Sequence, residues 1–231
     1  TMIVLIPSYE PDHRLGRMIA GLRRELPQAQ ILVVDDGSGP DHRPAFAEAV
    51  AAGAVVISHP RNQGKGMALK SGLRWVREHA PGSDVVCADC DGQHRPYDVA
   101  RVAAAISPST MVLGGRRFTG TVPLRSRFGN TLTRHLFRLV TGCDVYDTQT
   151  GLRGYPYQLL DWLLQVPGER FEYEFRALLA ARPAGVRIVE VEIETVYDRQ
   201  EYSSHFRTVL DSWRVYAPML AYAGRRFGGL R

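Results

Sequence analysis

The sequence predicts an α/β fold in which a doubly wound, mostly parallel sheet carries helices on both faces. Three observations carry this. Short β-branched runs alternate with longer helical patterns through the first hundred residues. The runs are almost continuously apolar, as strands covered on both faces should be. Each of the first four is followed by a polar cluster, three of these clusters contain glycine, and in open α/β sheets that is where ligands bind.

The expected strands are "MIVLI" (2–6), "QILVVDD" (30–36), "AVVIS" (54–58), "DVVCADCD" (84–91) and "TMVLG" (110–114). Helices are expected over about 12–26, 41–52, 65–79 and 96–106. The second and fourth are entered through "GSGPDHRP" and "HRP", with turn residues and proline near the first turn. In the second half, "RSRFGNTLTRHLFRLVTG" (125–142) has apolar residues at helical spacing and Gly142 near its end. A helix at 172–182, a strand pair within "VRIVEVEIETVY" (186–197) and a final helix complete the pattern. No repeat or low-complexity linker divides the chain, so a single domain over 1–231 is expected. It comprises a donor-side half (about 1–115), an acceptor-side half (about 116–207) and a C-terminal amphipathic helix (about 208–231).

Composition narrows the class. With 231 residues, 45% hydrophobic and 23% charged, the chain is neither disordered nor stapled by disulfides, and its three cysteines fit a reducing compartment. The opening "TMIVLIPSYE" lacks the features of a signal peptide, and no stretch approaches the ~18 apolar residues of a spanning helix. Net charge is +5, almost all from arginine, since Lys65 and Lys70 are the only lysines. From Val99 to Cys143 there is no acid but seven arginines, among them Arg116, Arg117, Arg127 and Arg138; after Asp211 the tail again lacks acids. One-signed stretches of this kind attract phosphate. Basicity alone also suggests a nucleic-acid-binding module, but there is no helix-turn-helix, zinc pattern or aromatic platform, so no nucleic-acid partner is expected.

Two motifs interleave in "VVCADCDGQH" (85–94). Cys87 and Cys90, three apart on an extended strand, point to opposite faces and cannot readily share an ion or bridge. A zinc site from Cys87, Cys90, His94 and Cys143 lacks a second closely spaced ligand pair, and core packing is the reading adopted for Cys87. Asp89 and Asp91 fall on one side where the strand ends, and Gly92 lets the chain turn. That spacing suits Mg²⁺ or Mn²⁺ held together with substrate phosphate, or else a simple turn capped by Asp91. "RNQGKG" (61–66) places Lys65 at a helix entrance that would favour an anion, or is a plain strand-to-helix turn. Of Asp35 and Asp36, one caps the turn "DDGSGPD" or faces a base or ribose.

"IPSYEPD", "ILVVDDGSG", "HPRNQGKGMALKSGL" and "ADCDGQH", in this order, resemble the family 2 glycosyltransferases of the GT-A fold. "GGRRF", "SRFGNTLTR", "DTQTGLRGY", "FEYEF" and "SSHFRTVLDSWRVY" resemble the branch that transfers sugars to dolichyl or polyprenyl phosphate. The resemblance implies that Pro7, Tyr9, Glu10, Asp36 and Lys65 line the pocket of a UDP or GDP sugar. It implies that Asp89 and Asp91 bind ribose or metal, with Gln93 completing the metal shell. Arg117, Ser126 and Arg127 would hold the acceptor phosphate, and Arg207 the donor diphosphate. Cys90 departs from the small residue common at its position. A phosphate acceptor needs no general base; a hydroxyl acceptor would need one, for which Asp147, Glu172 and Glu174 are the best-placed acids. A catalytic domain of this branch is often joined to membrane helices. The expectation is a cytoplasmic enzyme, peripheral at the anionic inner face of the membrane, either joined to a membrane segment or membrane-domain partner or free-standing. A sugar-nucleotide-binding protein without catalysis is the weaker alternative, given Asp89, Asp91 and Arg117.

Overall fold

The computed structural model describes residues 1–116, 134–135, 137–139 and 141–193. Strands β1 (Met2–Ser8), β2 (Gln30–Asp35), β3 (Val55–Ser58), β4 (Asp84–Cys87) and β5 (Thr110–Arg116) alternate with helices α1 (His13–Glu25), α2 (Arg43–Ala51), α3 (Lys65–His79) and α4 (Pro96–Ala104). Then come β6 (Arg153–Tyr155), α5 (Leu160–Gln165), α6 (Glu172–Ala181) and β7 (Arg187–Ile193). The seven strands form one sheet in the order β3-β2-β1-β4-β6-β5-β7. All pairings are parallel except those of β6, which runs antiparallel to β4 and β5.

Strand alternation splits the core into two layers. Ile3, Leu5, Leu32, Val34, Val85 and Cys87 face α3, α5 and α6, whereas Val4, Ile6, Ile31, Val33 and Val86 face α1, α2 and α4. Cys87 belongs to the first layer and Cys90 packs against the second; both are free thiols, and burial pushes the Cys90 thiol up to about 11. The strand order reverses between β1 and β4, which opens a crevice beyond their carboxyl ends.

Helix starts follow their sequence signals. Asp12 caps α1 by accepting from the Arg14 N–H at 2.9 Å, and Pro96 opens α4 where its missing N–H costs nothing. Three expectations are corrected. The strand through 84–91 ends at Cys87, because the last ladder bond is Ala88 N–H to the Leu5 carbonyl and the chain then turns; Asp89 and Asp91 therefore sit on a turn. The segment from 187 is a single strand pairing with β5 over seven positions, with no turn before Ile193. The short β6 and α5 were not expected at all, and β6, from the second half of the chain, lies between β4 and β5 of the first. Among the described residues no helix is long and apolar enough to cross a membrane.

Close approach of α3 to β1 depends on Gly72, where a Cβ would run into the Leu5 side chain. Gly16 in α1 has only the end of Glu48 nearby, at 3.5 Å. Urea unfolding should therefore show Gly72→Ala destabilised by about 1–3 kcal/mol through overpacking, with Gly16→Ala neutral or slightly stabilised by helix propensity. Equal effects would refute this packing.

Candidate active site

The crevice is lined by the turns after β1, β2, β3 and β4. Pro7 is buried, Tyr9 half-buried and Glu10 exposed at its mouth. The Glu10 N–H donates to the Ser38 hydroxyl at 2.9 Å and Ser38 N–H to Asp35 Oδ1 at 2.9 Å, so the turns after β1 and β2 are tied together. A hydrogen bond from Tyr9 to Glu10, then burial, raises the Tyr9 phenol above its ordinary value. Gly37 has φ +74°, and a Cβ there would strike the backbone of Arg61 and Asn62, so the turns after β2 and β3 touch.

Asp36 differs from expectation. It is 3% exposed, and its carboxylate accepts from Gln63 N–H (2.9 Å), Gly64 N–H (2.7 Å) and the His59 ring (2.7 Å). It organises the loop before α3 and is not offered to the crevice. The helix entrance in "RNQGKG" is partly taken up in the same way. The N–H groups of Gln63 and Gly64 are held by Asp36, and that of Met67 by the Glu169 carbonyl at 2.9 Å, leaving none of these three to greet a phosphate.

Lys65, the first residue of α3, points across the crevice floor. Its Nζ lies 2.7 Å from Asp89 Oδ1 and 2.7 Å from Glu174 Oε2. Burial opposes its charge, but Asp89 and then Glu174 more than compensate and raise its pKa. For Asp89 burial likewise opposes the charged form, yet Lys65 and then His94 hold the carboxyl well below the usual carboxylate range. Behind Glu174 stands Arg153, 1% exposed, at 3.8 Å; its guanidinium also donates to the carbonyls of Glu174 (2.6 Å), Thr150 (2.9 Å) and Thr148 (3.4 Å). Sequence reasoning missed Arg153, and also Gly151, where any Cβ would collide with the Asp89 carboxylate. The only signal for either was their place inside "DTQTGLRGY".

The acids considered as bases are all engaged. Asp147 is fully buried and paired with Arg116 at 2.6 Å, with Oδ1 also accepting from Gln149 N–H at 3.1 Å. Glu172 accepts the Glu169 and Arg170 N–H groups and so holds the loop that leads into its own helix. Glu174 is bound to Lys65. To take a proton, Asp147 would first have to leave Arg116 and Glu174 to leave Lys65.

Asp91 is the acid left over. Its Oδ1 accepts from Gln93 N–H at 3.0 Å, the Asx-turn anticipated beside the metal reading, and Gly92 takes φ +78° to complete the turn. Burial, then the negative charge of Asp89, raises its pKa, so the site favours an added cation. His94 is 4% exposed, 3.6 Å from Asp89, with neither ring nitrogen hydrogen-bonded. Among the described residues no three His, Cys, Asp or Glu side chains gather into a complete metal cage. That donor set suits Mg²⁺ or Mn²⁺, which bind through one or two carboxylates plus substrate oxygens. Arg117, Ser126, Arg127 and Arg207 lie outside the described residues.

A mostly parallel sheet with its ligand crevice at the β1/β4 reversal and an Asp-x-Asp turn beyond β4 defines an α/β transferase domain of the GT-A type. The chain belongs to glycosyl transferase family 2, whose model matches residues 3–161. An undecaprenyl-phosphate mannosyltransferase of Micrococcus luteus is 31% identical over 205 residues, 84% of this chain and 83% of that protein. A UDP-N-acetylglucosamine–dolichyl-phosphate N-acetylglucosaminyltransferase of Methanococcus voltae is 29% identical over 222 residues, 87% of this chain and 86% of the other. Among solved structures, the glucosyl-3-phosphoglycerate synthase of Mycobacterium tuberculosis, in complex with Mn²⁺, UDP and phosphoglyceric acid, superposes with a TM-score of 0.70 at 21% identity, over 97% of this chain and 78% of that one. It shows the shared fold.

If Gly151 exists to make room for Asp89, Gly151→Ala should lower stability by about 1–3 kcal/mol in urea unfolding, and the penalty should vanish in an Asp89→Ala background. A penalty unchanged in that background would place the strain elsewhere.

Proposed function

We propose that this family 2 glycosyltransferase is an inverting hexosyltransferase that moves a sugar from a UDP or GDP donor to a polyprenyl or dolichyl phosphate at an anionic membrane surface. The observation that carries the acceptor class is that Asp147, Glu172 and Glu174 are all bound within the protein, which suits a nucleophile that arrives already ionised. Relatives near 30% identity are named for transfer to undecaprenyl and dolichyl phosphate, which supports the same choice.

Each group then has a task. Pro7, Tyr9 and Glu10 form the nucleoside side of the pocket, with Asp36 shaping it from beneath. Asp91, with Gln93 and the far oxygen of Asp89, would hold Mg²⁺ or Mn²⁺. When bound, such an ion offsets negative charge gathering on the leaving nucleoside diphosphate. Lys65 keeps Asp89 ionised and fixed. By resemblance, Arg117, Ser126 and Arg127 receive the lipid phosphate and Arg207 the donor diphosphate. The acceptor oxygen attacks the anomeric carbon from the face opposite the leaving group, so the configuration inverts. The arginine-rich, acid-free tail after Asp211 faces an anionic lipid surface in this reading.

A transfer assay over UDP and GDP sugars, with short polyprenyl phosphate or the corresponding polyprenol and with Mg²⁺ or Mn²⁺, tests the proposal. Product is expected with the phosphate alone; product with the alcohol alone would reject the acceptor class. Asp91→Asn should lower metal-supported transfer about a hundredfold or more with the fold retained, and full activity would reject the metal role. Arg127→Ala should raise the KM for lipid phosphate far more than that for donor; equal rises would remove its assigned role.

A further inference from the structure

One hydrogen-bonded chain is not used by the chemistry above. His59 follows β3, with its side chain about one tenth exposed; one ring nitrogen, Nδ1, lies 2.7 Å from Asp36 Oδ1 and the other, Nε2, 2.9 Å from the Ser71 hydroxyl. Asp, His and Ser in this order resemble the relay of a serine hydrolase, but Ser71 lies in the middle of α3. The backbone N–H groups around it belong to the helix, so no donor pair is left for an oxyanion. The chain does something else.

We infer that His59, protonated on Nδ1 and braced by Ser71, is a positioning residue of the donor pocket: it fixes the Asp36 carboxylate that clamps the 63–64 turn ahead of Lys65. The inference rests on the nucleotide-sugar reading above. An ionised carboxylate only accepts, so the proton between Asp36 and His59 sits on Nδ1. The same Asp36 oxygen takes the Gln63 N–H and the other takes the Gly64 N–H. Gly64 has φ +102°, and a Cβ there would strike Arg170 and the Glu169 carbonyl, so the turn has little freedom to relax. Directly after it comes Lys65, bound to Asp89 and Glu174. Ser71 lies on the helix that Lys65 begins, so the hydrogen bonds close a ring: α3 braces His59, His59 fixes Asp36, and Asp36 fixes the entrance of α3. The contact of Gly37 with Arg61 and Asn62, and the bond from Glu10 to Ser38, carry that rigidity to the turns that line the nucleoside end of the crevice.

The two ring bonds can be separated by substitution. His59→Asn keeps an N–H where Nδ1 was, whereas His59→Gln reaches only toward Ser71. Calorimetric titration with UDP and GDP, and donor KM against kcat, should show His59→Gln weakening nucleotide binding and raising donor KM about tenfold, as expected for loss of a hydrogen bond to a charged group. His59→Asn should stay within about threefold of wild type, and the KM for the acceptor should move in neither. In the wild-type protein, ¹⁵N NMR of the ring should report a protonated Nδ1. Equal losses in both variants, unchanged nucleotide binding in His59→Gln, or an Nδ1 without its proton would each overturn the inference. Should His59→Gln not fold, Ser71→Ala takes its place: it loses the same ring bond as His59→Asn, so a nucleotide affinity weakened about two- to threefold supports the brace and an unchanged affinity overturns it. Wild-type protein that binds neither nucleotide would remove the donor reading and this inference together, whereas binding that survives His59→Gln removes the inference alone.

Discussion

A single ammonium group holds the crevice together. Lys65 joins the turn after β4, through Asp89, to helix α6, through Glu174, and Arg153 on β6 completes the cluster from behind. Two cations face two carboxylates, so the cluster is neutral overall. Burying such charges is costly unless each is paired, and here each member faces an opposite charge. Because the partners come from α3, the β4 turn, α6 and β6, misplacing any one of these elements would strand a charge in the interior. The charges thereby tie four elements to one another.

The same cluster sorts the acids by role. Asp89 is kept ionised and oriented by Lys65, Glu174 is withdrawn from proton transfer, and Asp91, raised by burial and by its neighbour's charge, is left as the acid with most to gain from a cation. An enzyme with its carboxylates allotted in this way is suited to an acceptor that needs no deprotonation. The family, shared with relatives that carry sugars to lipid phosphates, points in the same direction.

Most of the sheet was legible in the sequence because its strands are buried on both faces and read as unbroken apolar runs, and helix entrances showed through "GSGPDHRP", Pro96 and the glycines on either side of Lys65. The tip of β4 was legible as the place where carboxylates gather, though the strand stops at Cys87, earlier than its composition suggests. β6 was not legible: three residues with a buried arginine at their start carry no apolar period, and only the guanidinium's carbonyl partners make that burial tolerable. The pairing of Lys65 with Glu174 was hidden for another reason. Both residues stood out individually, one as lining the nucleotide pocket and the other as a candidate base, but their union is a tertiary contact between distant segments.

The coupling between those two side chains is therefore the most direct test. A double-mutant cycle of Lys65→Met and Glu174→Gln, read by urea unfolding at neutral pH, should give an interaction energy above about 1 kcal/mol, because either substitution alone breaks the Lys65–Glu174 bond and the double variant loses it only once. Strict additivity of the two substitutions would contradict the account.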